Sequence, residues 1–209
     1  VKRIAVLDNT LPAPSDHTLT VGSTIAADSR VLCDALASHI ADADYFDTVI
    51  ICDSLLRSDA ADASVLLSPE EVQSLARDLG VDMLFVVNAA AVSTTREMVY
   101  SVYDDEERVP AVRGAMMLDA HIYLPGRDRP FQHFTDRDTL YWEADGLTER
   151  QLVDDASRRM AMLPVRHVVP LWDTVERYYY RGGTVNMRDG AVAMAEGDWD
   201  LAARCWQRE

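Results

Sequence analysis

The switch in hydrophobic period along this chain constrains its fold more than any other feature. Up to about residue 92, apolar runs of strand length alternate with helix-period segments, and beyond residue 93 the pattern turns to long strand candidates separated by polar turns. Lys2-Arg3-Ile4-Ala5-Val6-Leu7-Asp8 is a short buried strand, followed by turn material at Leu11-Pro12-Ala13-Pro14-Ser15-Asp16. From Asp28 the positions Val31, Leu32, Ala35, Leu36 and Ile40 recur at helical spacing, with Asp28 or Ser29 as N-cap. Val49-Ile50-Ile51-Cys52 is a second strand. Ser68-Pro69-Glu70-Glu71 opens a second helix that stops at Gly80, and residues 81–92 give a third strand. This order predicts right-handed crossovers and a core of parallel or mixed pairing.

Three further strands are expected at 96–103, 111–124 and 130–143, in antiparallel array. The turn Pro125-Gly126-Arg127-Asp128-Arg129 has its midpoint at Arg127, a register that pairs His121 with His133 and turns Ala120, Ile122, Leu124 and Phe134 inward on the opposite face. A one-residue change in the turn would reverse these assignments. A third helix starts at Leu147-Thr148-Glu149-Arg150, with Leu152, Ala156, Met160 and Leu163 as its apolar stripe and Pro164 as its end or kink. The fold class expected is α/β (α+β): a mixed sheet with helices, forming a head over residues 1–165. Residues 166–209 are then a connection and the start of a helical repeat.

That connection is bounded by prolines and rich in aromatics: Trp172, Tyr178, Tyr179 and Tyr180 read as a packed joint. Gly197-Asp198-Trp199-Asp200-Leu201-Ala202-Ala203 followed by Trp206 has the turn, small residue and aromatic of a tetratricopeptide helix pair, with Gly190 where its first helix needs a small residue. One such unit cannot bury its own face, so further repeats are expected, and Trp206 is the aromatic that the next repeat would cover. Trp199 and Trp206 are therefore the candidate partner-binding residues.

A formal charge of -15 makes a phosphate backbone or an anionic membrane surface a poor partner, so no nucleic acid is expected. Cys33, Cys52 and Cys205 sit in no ligand-like spacing; the first two read as small core residues. No run reaches the length of a membrane span, and no signal peptide is present. Beginning at Val1 and ending within an amphipathic pattern, the sequence reads as a piece of a longer chain, with any export signal or lipid anchor upstream.

Candidate chemistry is sparse. No glycine-rich phosphate loop follows a strand, which leaves Ser23, Thr24 and Ser29 near the first helix as anion contacts or as ordinary capping residues. His121 and His133 are the best metal candidates, with Asp119 or Thr135 adjacent, although paired histidines also suit a solvated sheet face. Asp136, Asp138 and Glu143 could act as acid–base carboxylates or be surface charge. No serine or cysteine nucleophile has an interpretable partner, so no catalytic residue and no cofactor are assigned.

Several segments carry a family resemblance: Lys2-Arg3-Ile4-Ala5-Val6-Leu7, Asp138-Thr139-Leu140-Tyr141-Trp142, Pro170-Leu171-Trp172 with Arg177-Tyr178-Tyr179, and Gly197-Asp198-Trp199 through Ala202 and Trp206. In these the chain resembles the DUF6340-type envelope lipoproteins of Bacteroidota, whose α/β head precedes tetratricopeptide-like helices. The head alone resembles the N-terminal domain of TolB and the periplasmic domain of CsgG, with Gly80-Val81-Asp82 matching their strand start. The resemblance implies export, membrane attachment only through a lipid anchor on a cysteine upstream of Val1, and life in the cell envelope. The function expected is a non-enzymatic interaction or scaffold module binding an envelope protein. The rivals are a hydrolase or carbohydrate-processing enzyme using surface carboxylates, a metal- or small-ligand-binding domain, and a ring subunit.

Overall fold

A run with no polar residue from Ile4 to Leu7 has to be covered on both faces, and β1 (Arg3–Asp8) places all four of these side chains out of solvent. The computed structural model describes residues 3–11, 22–52, 56, 66–100, 108–170, 176, 178 and 182–209. β1 lies between β3 (Thr48–Cys52) and β4 (Met83–Tyr100), parallel to both. Antiparallel pairing then adds β5 (Arg108–Tyr123) and β6 (Gln132–Glu143), giving the order β3-β1-β4-β5-β6. The short β2 (Thr24–Ala26) pairs antiparallel with β4 at residues 91–93, beyond the stretch that β1 occupies. The sheet is thus mixed, as the period change requires.

The alternation of β1 and β4 sorts side chains to two layers. Ile4, Val6, Phe85 and Val87 join Leu32, Leu36 and Ile40 of α1 (Ser29–Asp42) and Leu152, Ala156 and Met160 of α3 (Glu149–Met162). Ala5, Leu7, Leu84 and Val86 join Val72 and Ala76 of α2 (Pro69–Leu79). Each fully buried leucine contributes about 1.5–3 kcal/mol of apolar transfer, so the first layer, with the larger helices, is the main source of stability. The helices start where the sequence marks them. Asp28 accepts from the Val31 amide, and Ser68 with Glu71 and Thr148 with Gln151 form reciprocal capping boxes, each cap stabilising its helix by about 1 kcal/mol. Gly80 ends α2 with φ 64, a left-handed conformation that glycine adopts without steric penalty. Pro164 ends α3 as expected, and the chain continues as a 3-10 turn over Leu163–His167.

One strand assignment is corrected. The expected strands at 81–92 and 96–103 are joined through residue 100 as a single strand, β4, with 101–103 outside the described residues: nothing in Ala89-Ala90-Ala91-Val92-Ser93-Thr94-Thr95 favours a turn, and β-branched residues favour extension. The irregularity falls instead at Asn88, where the β4–β5 register shifts between Val87 and Ala89. The short β2 has too few residues to show a period and is absent from the sequence reading.

The chain divides into two compact units, Val1–Pro170 and Leu171–Glu209. The first runs past the division expected after residue 165, since Val168 and Val169 pack into its core. In the second unit, α4 (Val185–Ala195) and α5 (Trp199–Trp206) form a helical pair, capped by Thr184 and Asp198. Gly190 lies under the indole of Trp206: a Cβ there would stand 2.4 Å from Nε1. The indole N–H donates to the Met187 carbonyl at 3.4 Å, so Trp206 is half-buried within its own pair. Trp172, Tyr179 and Tyr180 lie outside the described residues. Tyr178, expected in a packed joint, is exposed.

Candidate functional site

The β5–β6 hairpin has the register expected from its turn, with His121 opposite His133 and Asp119 opposite Thr135. Ala120, Ile122 and Phe134 accordingly point into the core on the other face. The two imidazoles stack, with ring centroids 4.3 Å apart and planes 15° from parallel. Asp119, two residues before His121 on the same strand face, completes a cluster in which one ligand atom from each residue lies within 4.8 Å of the others.

A hydrogen-bond network holds this cluster. The Asp119 carboxylate accepts from His133 Nε2 at 2.7 Å, from Thr135 Oγ1 at 3.0 Å and from Asn88 Nδ2 at 3.4 Å. The same Asn88 amide nitrogen sits 2.6 Å from His121 Nδ1, and Asn88 Oδ1 accepts from Asn9 Nδ2 at 3.0 Å. With both amide hydrogens of Asn88 donated, His121 Nδ1 is an acceptor and the ring carries its proton on Nε2. The sequence reading of a solvated face does not hold for His121, which is 6% exposed. Burial lowers the His121 pKa from its ordinary value; the neighbouring His133 lowers it further, and Asp119 opposes both. His121 is therefore a neutral imidazole at pH 7, while His133 stands half in solvent.

The bulge explains why Asn88 is here. An extra residue in β4 re-aims a side chain at the point where the strand passes β5, and the amide reaches two strand partners at once. Asn9 arrives from the carboxyl end of β1, beside the buried Asp8 and Thr10. Neither asparagine is singled out by sequence reasoning, although a lone amide within the apolar run Leu84–Ala91 is a visible signal.

The carboxylates expected as surface charge or acid–base groups have separate structural uses. Asp136 is 3% exposed and pairs with Arg166 and with His167, whose Nε2 lies 3.1 Å away. The His167 ring also stacks on Phe134 at 4.0 Å, so this group fastens the 3-10 turn to β6. Asp138, on the same face, pairs with Arg159 of α3 at 2.7 Å. The Thr139 amide, and then Arg159, holds the Asp138 pKa below the usual carboxylate value. Glu143 is exposed at the end of β6. Surface charge is thus the wrong description of Asp136, and the reason is the 3-10 turn that covers it.

A cavity of about 660 Å³ opens beyond the carboxyl end of β1, beside the middle of β4, and is lined by Thr10, Ile25, Ala27, Ser29, Asn88 and Val153 among others. Its walls are mainly apolar. Thr24 bonds Ser93 at 2.8 Å and Ser23 accepts from the Thr94 amide, so two of the three expected anion contacts serve strand pairing. Trp199 is 65% exposed. Among the described residues, no helix is long and apolar enough to cross a membrane.

A family profile described as "Domain of unknown function (DUF8603)" matches residues 1–180, in place of the DUF6340 type that the sequence segments suggested. No curated protein matches the sequence. The chain is similar to rare lipoprotein B from Shewanella oneidensis, at 12% identity over 79% of this chain and 92% of that one, with a TM-score of 0.35. It is similar to a PelC dodecamer structure from Paraburkholderia phytofirmans, at 12% identity over 78% and 87%, with a TM-score of 0.38. A minor lipoprotein from Acinetobacter baumannii matches at 10% identity over 81% and 96%, with a TM-score of 0.37. At such scores these similarities carry no functional argument.

Proposed function

The chain belongs to the DUF8603 family, and from that premise we propose that it is a non-enzymatic interaction module of the cell envelope that binds a protein partner through its helical pair. The observation that carries this reading is the apolar surface of that pair. Trp199, Val185 and Val192 are each more than half exposed, and the two valines, two turns apart, share one face of α4. A soluble helix pair buries such side chains against something, and in tetratricopeptide-like arrays that is a neighbouring helix. The engagement of Asp136 and Asp138 in ion pairs with Arg166, His167 and Arg159 favours a structural use of these carboxylates over acid–base chemistry. The envelope assignment rests on the resemblance of the sequence segments to exported lipoproteins.

The test is to produce the full-length protein in its native host, fractionate the cells, crosslink lightly and identify what co-purifies, beside Val192→Asp and Trp199→Asp variants. The expected result is membrane-fraction protein carrying one stoichiometric partner with the wild type and little with either variant. Recovery in the cytosolic fraction would end the envelope assignment. A wild type that captures nothing above an unrelated lipoprotein, or variants that capture the same partner equally, would end the interaction reading.

A further inference from the structure

We propose that Asp119, His121 and His133 form a binding site for a late first-row divalent cation of the zinc type. The donor set is two imidazoles and one carboxylate, which is the set that three-coordinate protein sites offer zinc, with a fourth position left to water. Imidazole selects zinc, nickel, copper or cobalt over calcium and magnesium, which favour oxygen alone.

The placement of these groups is a property of the fold. Asp119 and His121 alternate onto one face of β5, and the β5–β6 register brings His133 directly opposite His121. All three therefore ride on paired strands, the kind of rigid frame that holds ligands in place. Thr135 donates to Asp119 and so orients one ligand. Asn88 abuts His121 Nδ1, and ligation through Nε2 requires the ring proton to move to Nδ1 and the Asn88 amide to turn so that its oxygen accepts it. The -15 charge of the whole chain raises cation concentration at its surface.

A second adjustment, at His133, completes the site. The ligand atoms lie within 4.8 Å of one another, whereas zinc–nitrogen bonds of about 2.0–2.1 Å set tetrahedral ligands roughly 3.4 Å apart. The stacked rings also direct their in-plane lone pairs side by side rather than at a common point. His133, whose side chain is 53% exposed, is free of the packing that holds His121, and rotating its ring brings a nitrogen toward Asp119 and His121. Its bond to Asp119 is exchanged for a shared metal. The inference is independent of the helical pair and stands or falls without the partner-binding reading.

The experiment uses the tag-free full chain stripped with EDTA and titrated with Co²⁺ alone, followed by its visible d–d bands, then with Zn²⁺ in competition and by calorimetry. The expected result is one saturating equivalent, cobalt bands displaced by zinc, and at least tenfold weaker binding in His133→Ala. That variant changes an exposed side chain, and circular dichroism confirms that it folds; His39→Ala on α1 serves as the control that retains binding. Absence of saturable binding by the wild type would overturn the proposal. So would equal affinity in His133→Ala, which would assign the ion to scattered surface carboxylates.

Discussion

Replacing Gly114 with alanine puts a methyl group where the indole of Trp142 already stands. A Cβ at this position of β5 would lie 2.5 Å from Trp142 Cζ3, 2.9 Å from Cη2 and 3.0 Å from Val92 Cγ1. Elsewhere in a strand, alanine would be favoured over glycine by about 0.5–1 kcal/mol through its smaller loss of chain entropy. Here the ring must move, and forcing a methyl into a filled core costs roughly 1–3 kcal/mol. Moving it also strains the 3.0 Å hydrogen bond from Trp142 Nε1 to Asp155 of α3, worth about 1 kcal/mol. The net expectation is a loss of about 1–3 kcal/mol, or a Tm lower by roughly 3–10 °C for a unit of this size. Urea unfolding of the wild type, Gly114→Ala, Trp142→Leu and the double variant, followed by far-UV circular dichroism, closes a cycle. In the Trp142→Leu background the alanine should cost nothing or stabilise, because the smaller side chain vacates the contact. An equal cost in both backgrounds, or none in the wild type, would refute the steric argument.

Asp136→Ala should be the more damaging carboxylate change, because it leaves His167 without its buried partner and frees the 3-10 turn. With Arg166 more than half exposed, the loss is expected at about 1–3 kcal/mol rather than the 3–5 of a fully buried pair, read from the urea midpoint. Asp138 predicts a pH effect. Its folded pKa lies below the ordinary 3.8, so its contribution is complete above that value and is lost as pH falls through the folded one. The acid limb of stability should therefore be shallower in Asp138→Asn over that window, as urea midpoints in acidic buffers would show. Cys33 is buried in α1, and burial pushes its thiol well above the usual range. It should resist iodoacetamide in the native protein and react once urea unfolds the first unit; mass spectrometry of the labelled peptides distinguishes the two, and rapid native labelling would contradict its burial.

Asp28, Ser68 with Glu71, Gly80 and Thr148 set helix ends through local bonds and backbone preferences, and local chemistry is what a sequence displays. The His121–His133 pairing was equally legible, since a short symmetric turn fixes hairpin register. What stayed hidden depends on contacts between segments far apart in the chain. Asn88 reaches His121 only because a bulge and a strand pairing coincide, and Asp136 is buried only because a turn thirty residues on folds back over it. Extended β4 prevailed over the expected break because its edges found β2 and β5 as partners. Sequence by itself determined the helices, the caps and the hairpin register, where each residue's neighbours along the chain supply the energy. Tertiary structure alone decided which polar side chains are buried and what they bond, because that energy comes from partners the chain order does not place side by side.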